Sequence, residues 1–168
     1  MVIEAITLLI FPATMAFAAS SDLLTMTISN RVTLILLVGF ALLVYVTGMP
    51  QSEVLLHVGA GLLVLTITFV FFARGWIGGG DAKLAAVTAL WFGFEHLLEY
   101  ALYASILGGA LTLAMIRFRL LPLPTVLSRQ EWLKRLHKLD GGVPYGIALA
   151  AAALLIYPET PWMKALGF

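Results

Sequence analysis

The chain has 168 residues, 61% hydrophobic and 11% charged, with a mean hydropathy of +1.01 and a formal net charge of +1. Soluble domains are typically about 45–50% apolar and about 25% charged, so this chain cannot cover itself with a water-facing surface, and its solvent is mostly lipid. Near-neutral charge argues against nucleic acid as a partner, and the lack of any cysteine excludes disulfides, cysteine–zinc sites and thiol catalysis.

Apolar runs of about 17–25 residues are candidate spans. Six are expected, at residues 2–19, 32–47, 54–73, 83–94, 97–116 and 142–157, forming one domain over residues 1–168. The fold class expected is all-α: a polytopic membrane protein of about six transmembrane helices with a cytoplasmic amphipathic helix. The first run ends in Ala16-Phe17-Ala18, which has the look of a signal-peptide cleavage site. No Lys or Arg precedes it, however, and Glu4 stands where positive charge belongs, so a retained helix is expected. The fourth run is short alone and is expected to begin in the preceding glycines and continue toward Glu95. The second and sixth recruit flanking residues or thin the bilayer.

Arg31, Arg74, Lys83, Arg117, Arg119, Arg129, Lys134, Arg135 and Lys138 all fall between odd-numbered and even-numbered runs; only Lys164 falls on the other side. Positive charge marks the cytoplasmic face. Loops one, three and five are therefore placed inside and both termini outside. In loop five, SRQEWLKRLHKLD sets Trp132, Leu133, Leu136 and Leu139 near one helical face, which suits a helix lying on lipid headgroups. Trp91 and Trp162 are read as anchors at the outer interface and Trp76 at the inner one.

Of nine acids, Asp22 and Asp81 are the two placed beside lipid-depth residues on the cytoplasmic side. Carboxylates there are costly and usually functional. Each alone could be a helix cap. Together they form a candidate pair: two neighbouring carboxyls share a proton, so one is a base while the other is an acid. That suffices for peptide hydrolysis by water. The stretch WIGGGDAKLAA, residues 76–86, supplies Gly78, Gly79 and Gly80, which are expected to let an extended substrate backbone approach, with local φ > 0. Broken backbone at membrane depth is tolerated where it lines a cavity. Lys83 and Arg31 serve as inside-positive anchors.

Gly78-Gly79-Gly80-Asp81 resembles the GxGD motif of intramembrane aspartyl proteases, which include presenilin, archaeal preflagellin peptidases and bacterial type IV prepilin peptidases. In the last group the first aspartate is followed by Ile-Pro-Asn; here Asp22 is followed by Ile28-Ser29-Asn30, with Ser29 where proline is usual. GGDAKLAAVTALWFG and GVPYGIALAAAA resemble the short prepilin peptidases of Tad/Flp pilus systems. The resemblance implies an endopeptidase of the bacterial inner membrane that removes the basic leader of a prepilin or pseudopilin on the cytoplasmic side. It implies Asp22 and Asp81 as the catalytic pair; Gly78, Gly79, Gly80, Asn30 and Lys83 as substrate-binding candidates; no metal and no organic cofactor; and the bilayer and a pilin precursor as partners. Glu131 and Asp140 are candidates for binding the leader's basic charge. Longer members carry a domain with paired CxxC motifs and also N-methylate the product; this cysteine-free chain is expected not to. The alternatives are a proton-coupled transporter, which would show repeats and midplane charge, and a catalytically inactive assembly factor.

Reporter fusions at Trp76 and Trp132 are expected to read cytoplasmic and one at Phe168 periplasmic. A cytoplasmic Phe168 would separate the faces that carry the two aspartates.

Overall fold

A computed structural model describes residues 6–124 and 129–164. The starts of the first run and of the basic SRQ segment, with Glu4, lie outside the described residues. Among the described residues the chain is helical throughout, without strands. A π-helical turn (Ile6–Ile10) leads into α1 (Phe11–Thr25), followed by α2 (Asn30–Thr47), α3 (Gln51–Ala73), α4 (Gly79–Phe92), α5 (Leu97–Leu120), α6 (Glu131–His137) and α7 (Tyr145–Ile156). A 3-10 turn (Tyr157–Glu159) and α8 (Pro161–Lys164) complete it.

Among the described residues four helical segments are long and apolar enough to cross a membrane: Thr7–Thr25, Asn30–Thr47, Gln51–Ala73 and Leu97–Leu120. The other two expected spans are helices too, but α4 has 14 residues and α7 has 12, short of the usual span length. These short helices are the most enclosed elements. Nine residues of α4 are buried, against two in the much longer α3. A helix wrapped by protein need not itself meet both faces of a bilayer. Their alanines and glycines also let neighbouring backbones come close. α4 lies against α3 and α2; α7 lies against α1 and α5; α4 and α7 touch each other. The bundle is thus two triplets joined along the α4–α7 seam.

At one end the seam is filled by aromatics. Phe11 stacks on Tyr157 with ring centroids 4.2 Å apart and lies 4.9 Å from Trp91. Three polar atoms in this cluster are hydrogen bonded: Trp91 Nε1 to the Leu36 carbonyl (3.0 Å), Trp162 Nε1 to the Trp91 carbonyl (2.9 Å) and the Tyr157 hydroxyl to the Thr7 carbonyl (2.9 Å). Without water, such donors must find protein acceptors. This corrects the expectation for Trp91 and Trp162: both are buried and lock helix to helix. Trp76 is exposed, with the Arg74 guanidinium 5.2 Å above its ring, as suits an interfacial anchor.

The opposite, basic end holds the α1–α2 and α3–α4 links and the segment before α7. The amphipathic helix is shorter than expected, covering Glu131–His137. Leu136 is buried, Trp132 and Leu133 half-buried, and Leu139 falls beyond the helix and is exposed. The helix is tied to the bundle by Arg119 Nε to the Leu136 carbonyl (2.9 Å) and by Arg135 Nη1 to the Leu24 carbonyl (3.1 Å).

Candidate active site

Asp22 does not follow the first helix, as the hydropathy suggested; it lies in the last turn of α1 and is 5% exposed. It therefore caps no helix start of its own. The carbonyl end of a helix disfavours an anion, and the compensation comes from another element. Asp22 Oδ2 accepts a hydrogen bond from the Gly146 amide at 2.8 Å. That amide is one of the unpaired N–H groups in the first turn of α7. Directly after Asp22 the chain reverses: Met26 takes a left-handed conformation (φ 57), its amide bonded to the Asp22 carbonyl at 2.8 Å. A non-glycine residue in that region costs roughly 1–3 kcal/mol and marks a place the surroundings hold firmly.

Asp81 is the third residue of α4. One oxygen, Oδ2, turns back toward Gly78, the residue before the helix, and the carboxyl sits in the first turn, where the helix dipole favours an anion. The other oxygen, Oδ1, is buried and has no hydrogen-bond partner. Asp22 lies within electrostatic reach of Asp81 across the seam, and each is beside a helix N-terminus, Asp22 at that of α7 and Asp81 at that of α4.

The positive φ expected in the glycine run is not found. Gly78 has φ −72, and no residue of the run has positive φ; α4 already begins at Gly79. The left-handed turn is supplied upstream by Gly75 (φ 72). What the run provides is proximity. A Cβ on Gly79 would lie 3.2 Å from the Phe72 ring, and one on Gly80 would lie 3.0 Å from Ile28 Cβ. Ile28 is shared with α7, because a Cβ on Gly146 would lie 2.7 Å from Ile28 Cδ1 and 2.8 Å from Asp22 Oδ2. Gly80, Ile28 and Gly146 thus set the spacing between the two aspartate-bearing elements.

Asn30 and Lys83 also meet, Lys83 Nζ donating to Asn30 Oδ1 at 2.9 Å. This bond ties the start of α2 to the second turn of α4 and closes the loop that carries Ile28. Ser29, where the resembling family has proline, has φ −66 and accepts from the Arg31 amide at 3.3 Å. The backbone is one that proline would adopt, and serine adds a cap.

Asp81 borders an apolar cavity of about 400 Å³ running between α3 and α5, with α4 and α7 behind it. Its polar lining is Thr68, Asp81, Tyr100, Ser105 and Tyr145. Nothing in the sequence singles out Tyr100; Tyr145 and Gly146 fall in the GVPYGIALAAAA stretch, whose Pro-Tyr-Gly opening starts α7. Glu131 is engaged by Lys134 at 2.7 Å, which holds its carboxyl below the usual range; Asp140 is exposed. Among the described residues no three side chains are grouped to hold a metal ion.

Gly146→Ala should lower stability by about 1–3 kcal/mol, because the added methyl must displace Ile28 or the Asp22 carboxylate. Gly109→Ala, where a Cβ would meet nothing within 4 Å, should be neutral or raise stability by up to about 1 kcal/mol. Thermal unfolding of the purified protein in detergent reads both; equal shifts would contradict this packing.

Residues 9–113 match the type IV leader peptidase family. The matched region spans more than half of the chain and holds Asp22, Asn30, the glycine run, Asp81 and Lys83, and it ends before Tyr145 and Gly146. No curated protein and no solved structure matches the chain.

Proposed function

The chain belongs to the type IV leader peptidase family, and from that premise we propose that it is a membrane-embedded aspartic endopeptidase that removes the leader of type IV prepilins or Flp-type pilins at the cytoplasmic face. The observation that carries this reading is the placement of Asp22 and Asp81 at the basic end of the bundle, on elements held together through Gly80, Ile28 and Gly146, with Asp81 bordering an apolar groove. The basic end supports the sidedness, since positive charge collects on the cytoplasmic face.

The chemistry follows from two carboxyls that share one proton. The ionised carboxylate takes a proton from water as the water oxygen attacks the scissile carbonyl. The protonated partner donates a hydrogen bond to the carbonyl oxygen. A proton then passes to the leaving nitrogen as the C–N bond breaks, leaving a new carboxyl on the leader and a new amine on the pilin. Protonation belongs to the pair and not to either residue. The Gly146 amide holds one oxygen of the Asp22 carboxyl, which fixes its direction. The apolar groove suits the stem of a pilin precursor: the stem lies between α3 and α5 while the leader stays at the basic end.

Asp22→Asn and Asp81→Asn should each reduce cleavage of a co-expressed prepilin by at least about a hundredfold, since each general acid–base role is worth roughly 10²–10⁴. Asparagine keeps the shape of aspartate, and at position 22 it can still accept from the Gly146 amide, so both variants should accumulate in the membrane. The double variant should be no worse than either single one. Glu53→Gln, at the far end, should cleave normally. A gel shift of the pilin at matched enzyme abundance reads the result; a single Asn variant with more than about a tenth of wild-type turnover would reduce that aspartate to a cap.

The absence of cysteine supports peptidase activity without methylation. Pilin processed by cells holding only this enzyme should carry a free N-terminal amine by mass spectrometry. A product heavier by one methyl, dependent on this protein, would contradict that.

A further inference from the structure

Of the five polar side chains that line the α3–α5 groove, three are already satisfied. Thr68 donates to the Val64 carbonyl (2.7 Å), Ser105 to the Ala101 carbonyl (2.6 Å), and the Tyr145 hydroxyl lies 3.0 Å from Thr112 Oγ1, itself bonded to the Gly108 carbonyl (2.8 Å). The two that are not are Asp81, through Oδ1, and Tyr100, through its hydroxyl. Tyr100 is 3% exposed, and its ring packs edge-on against Phe92 with centroids 5.5 Å apart. The Thr88 side chain is beside the hydroxyl, but Thr88 Oγ1 donates to the Leu84 carbonyl (2.8 Å), and Tyr100 makes no hydrogen bond of acceptable geometry to it.

A buried hydroxyl without a partner costs about 1–3 kcal/mol. A phenylalanine would fill the same space without that cost. Tyr100 nevertheless lines the groove in which Asp81 sits, its hydroxyl buried just behind that lining and within electrostatic reach of Asp81.

We propose that Tyr100 is a substrate-binding residue whose hydroxyl donates a hydrogen bond to a backbone carbonyl of the bound precursor, on the apolar side of the cut bond. This rests on the endopeptidase reading. From Asp81 to Thr88 is about two turns of α4, or roughly 10 Å. An extended chain covers that distance in about three residues. A chain leading away from Asp81 toward the bundle's centre therefore brings its third residue or so beside Tyr100. A helix opened for cleavage frees its carbonyls, and in a water-poor groove each needs a donor. The Tyr100 hydroxyl is the donor that the groove's own structure has left unused. It thereby favours the unwound form of the substrate over the helical form, whose carbonyls are already bonded.

The test is Tyr100→Phe, purified in detergent and assayed with a purified prepilin, alongside wild type, Asp22→Asn and Asp81→Asn. Loss of a substrate contact predicts a kcat/KM about tenfold below wild type, carried mainly by KM, with a thermal midpoint no lower than wild type, because the variant removes an unpaired polar group. A kcat/KM within twofold of wild type would overturn the proposal, since the hydroxyl then meets nothing on the substrate. A loss of activity accompanied by a lowered midpoint would overturn it too, since the hydroxyl then serves the fold. Cleavage by wild type and not by the Asn variants keeps the endopeptidase reading whatever Tyr100→Phe does. Unreduced cleavage by the Asn variants would sink that reading first.

Discussion

The hydrogen bond from the Gly146 amide to the Asp22 carboxylate is the contact on which the arrangement of this molecule turns. It joins the end of the first long helix to the start of the last apolar one, 124 positions away. It resolves two problems together. A carboxylate at the carbonyl end of α1 is poorly placed for its own helix, and the first amides of α7 lack partners inside theirs. Each supplies what the other lacks. The contact requires glycine at 146, because any side chain there would occupy the space of Asp22 and Ile28.

From that contact the seam follows. α1, α7 and α5 form one side and α2, α4 and α3 the other, with Asp22 on the first and Asp81 on the second. The two ends of the seam are built differently. At one end, aromatic rings interlock and their N–H and O–H groups bond to carbonyls of other helices, which suits a rigid dry junction. At the basic end the helices are held by single residues of small size, by Ile28 wedged between two glycines, and by the Lys83–Asn30 bond. This leaves carboxyl oxygen beside a groove instead of packed side chains.

The division between long outer and short inner helices explains a further feature. α3 and α5 are mostly exposed, and several of their hydroxyls bond to their own helix's backbone, as those of Thr66, Thr68 and Ser105 do. α4 and α7 are enclosed and rich in alanine, and the carboxyl oxygens of Asp81 and Asp22 lie at their first turns, where helix N–H groups are free. Membrane depth imposes this. A polar group there must be paired, end-capped or kept for a ligand.

Composition alone determined the solvent: a chain this apolar and this sparsely charged must be lipid-embedded and, with backbone groups needing internal partners, helical. Charge placement and the two isolated aspartates, with the glycines before Asp81, were equally legible, because a carboxylate beside apolar runs is expensive and stands out in a linear reading. Helix lengths at α4 and α7 were not, since hydropathy reports apolar residues whether they face lipid or protein. Nor could the true work of Gly79 and Gly80 be read. A glycine needed for positive φ and one needed for close approach look identical until the neighbouring side chain is in place, here Phe72 and Ile28. Trp91 and Trp162 were misassigned to an interface for the same reason. Gly146, Tyr145 and Tyr100 lie far from both aspartates along the chain, and only the packing of α7 and α5 beside α4 brings them to the site.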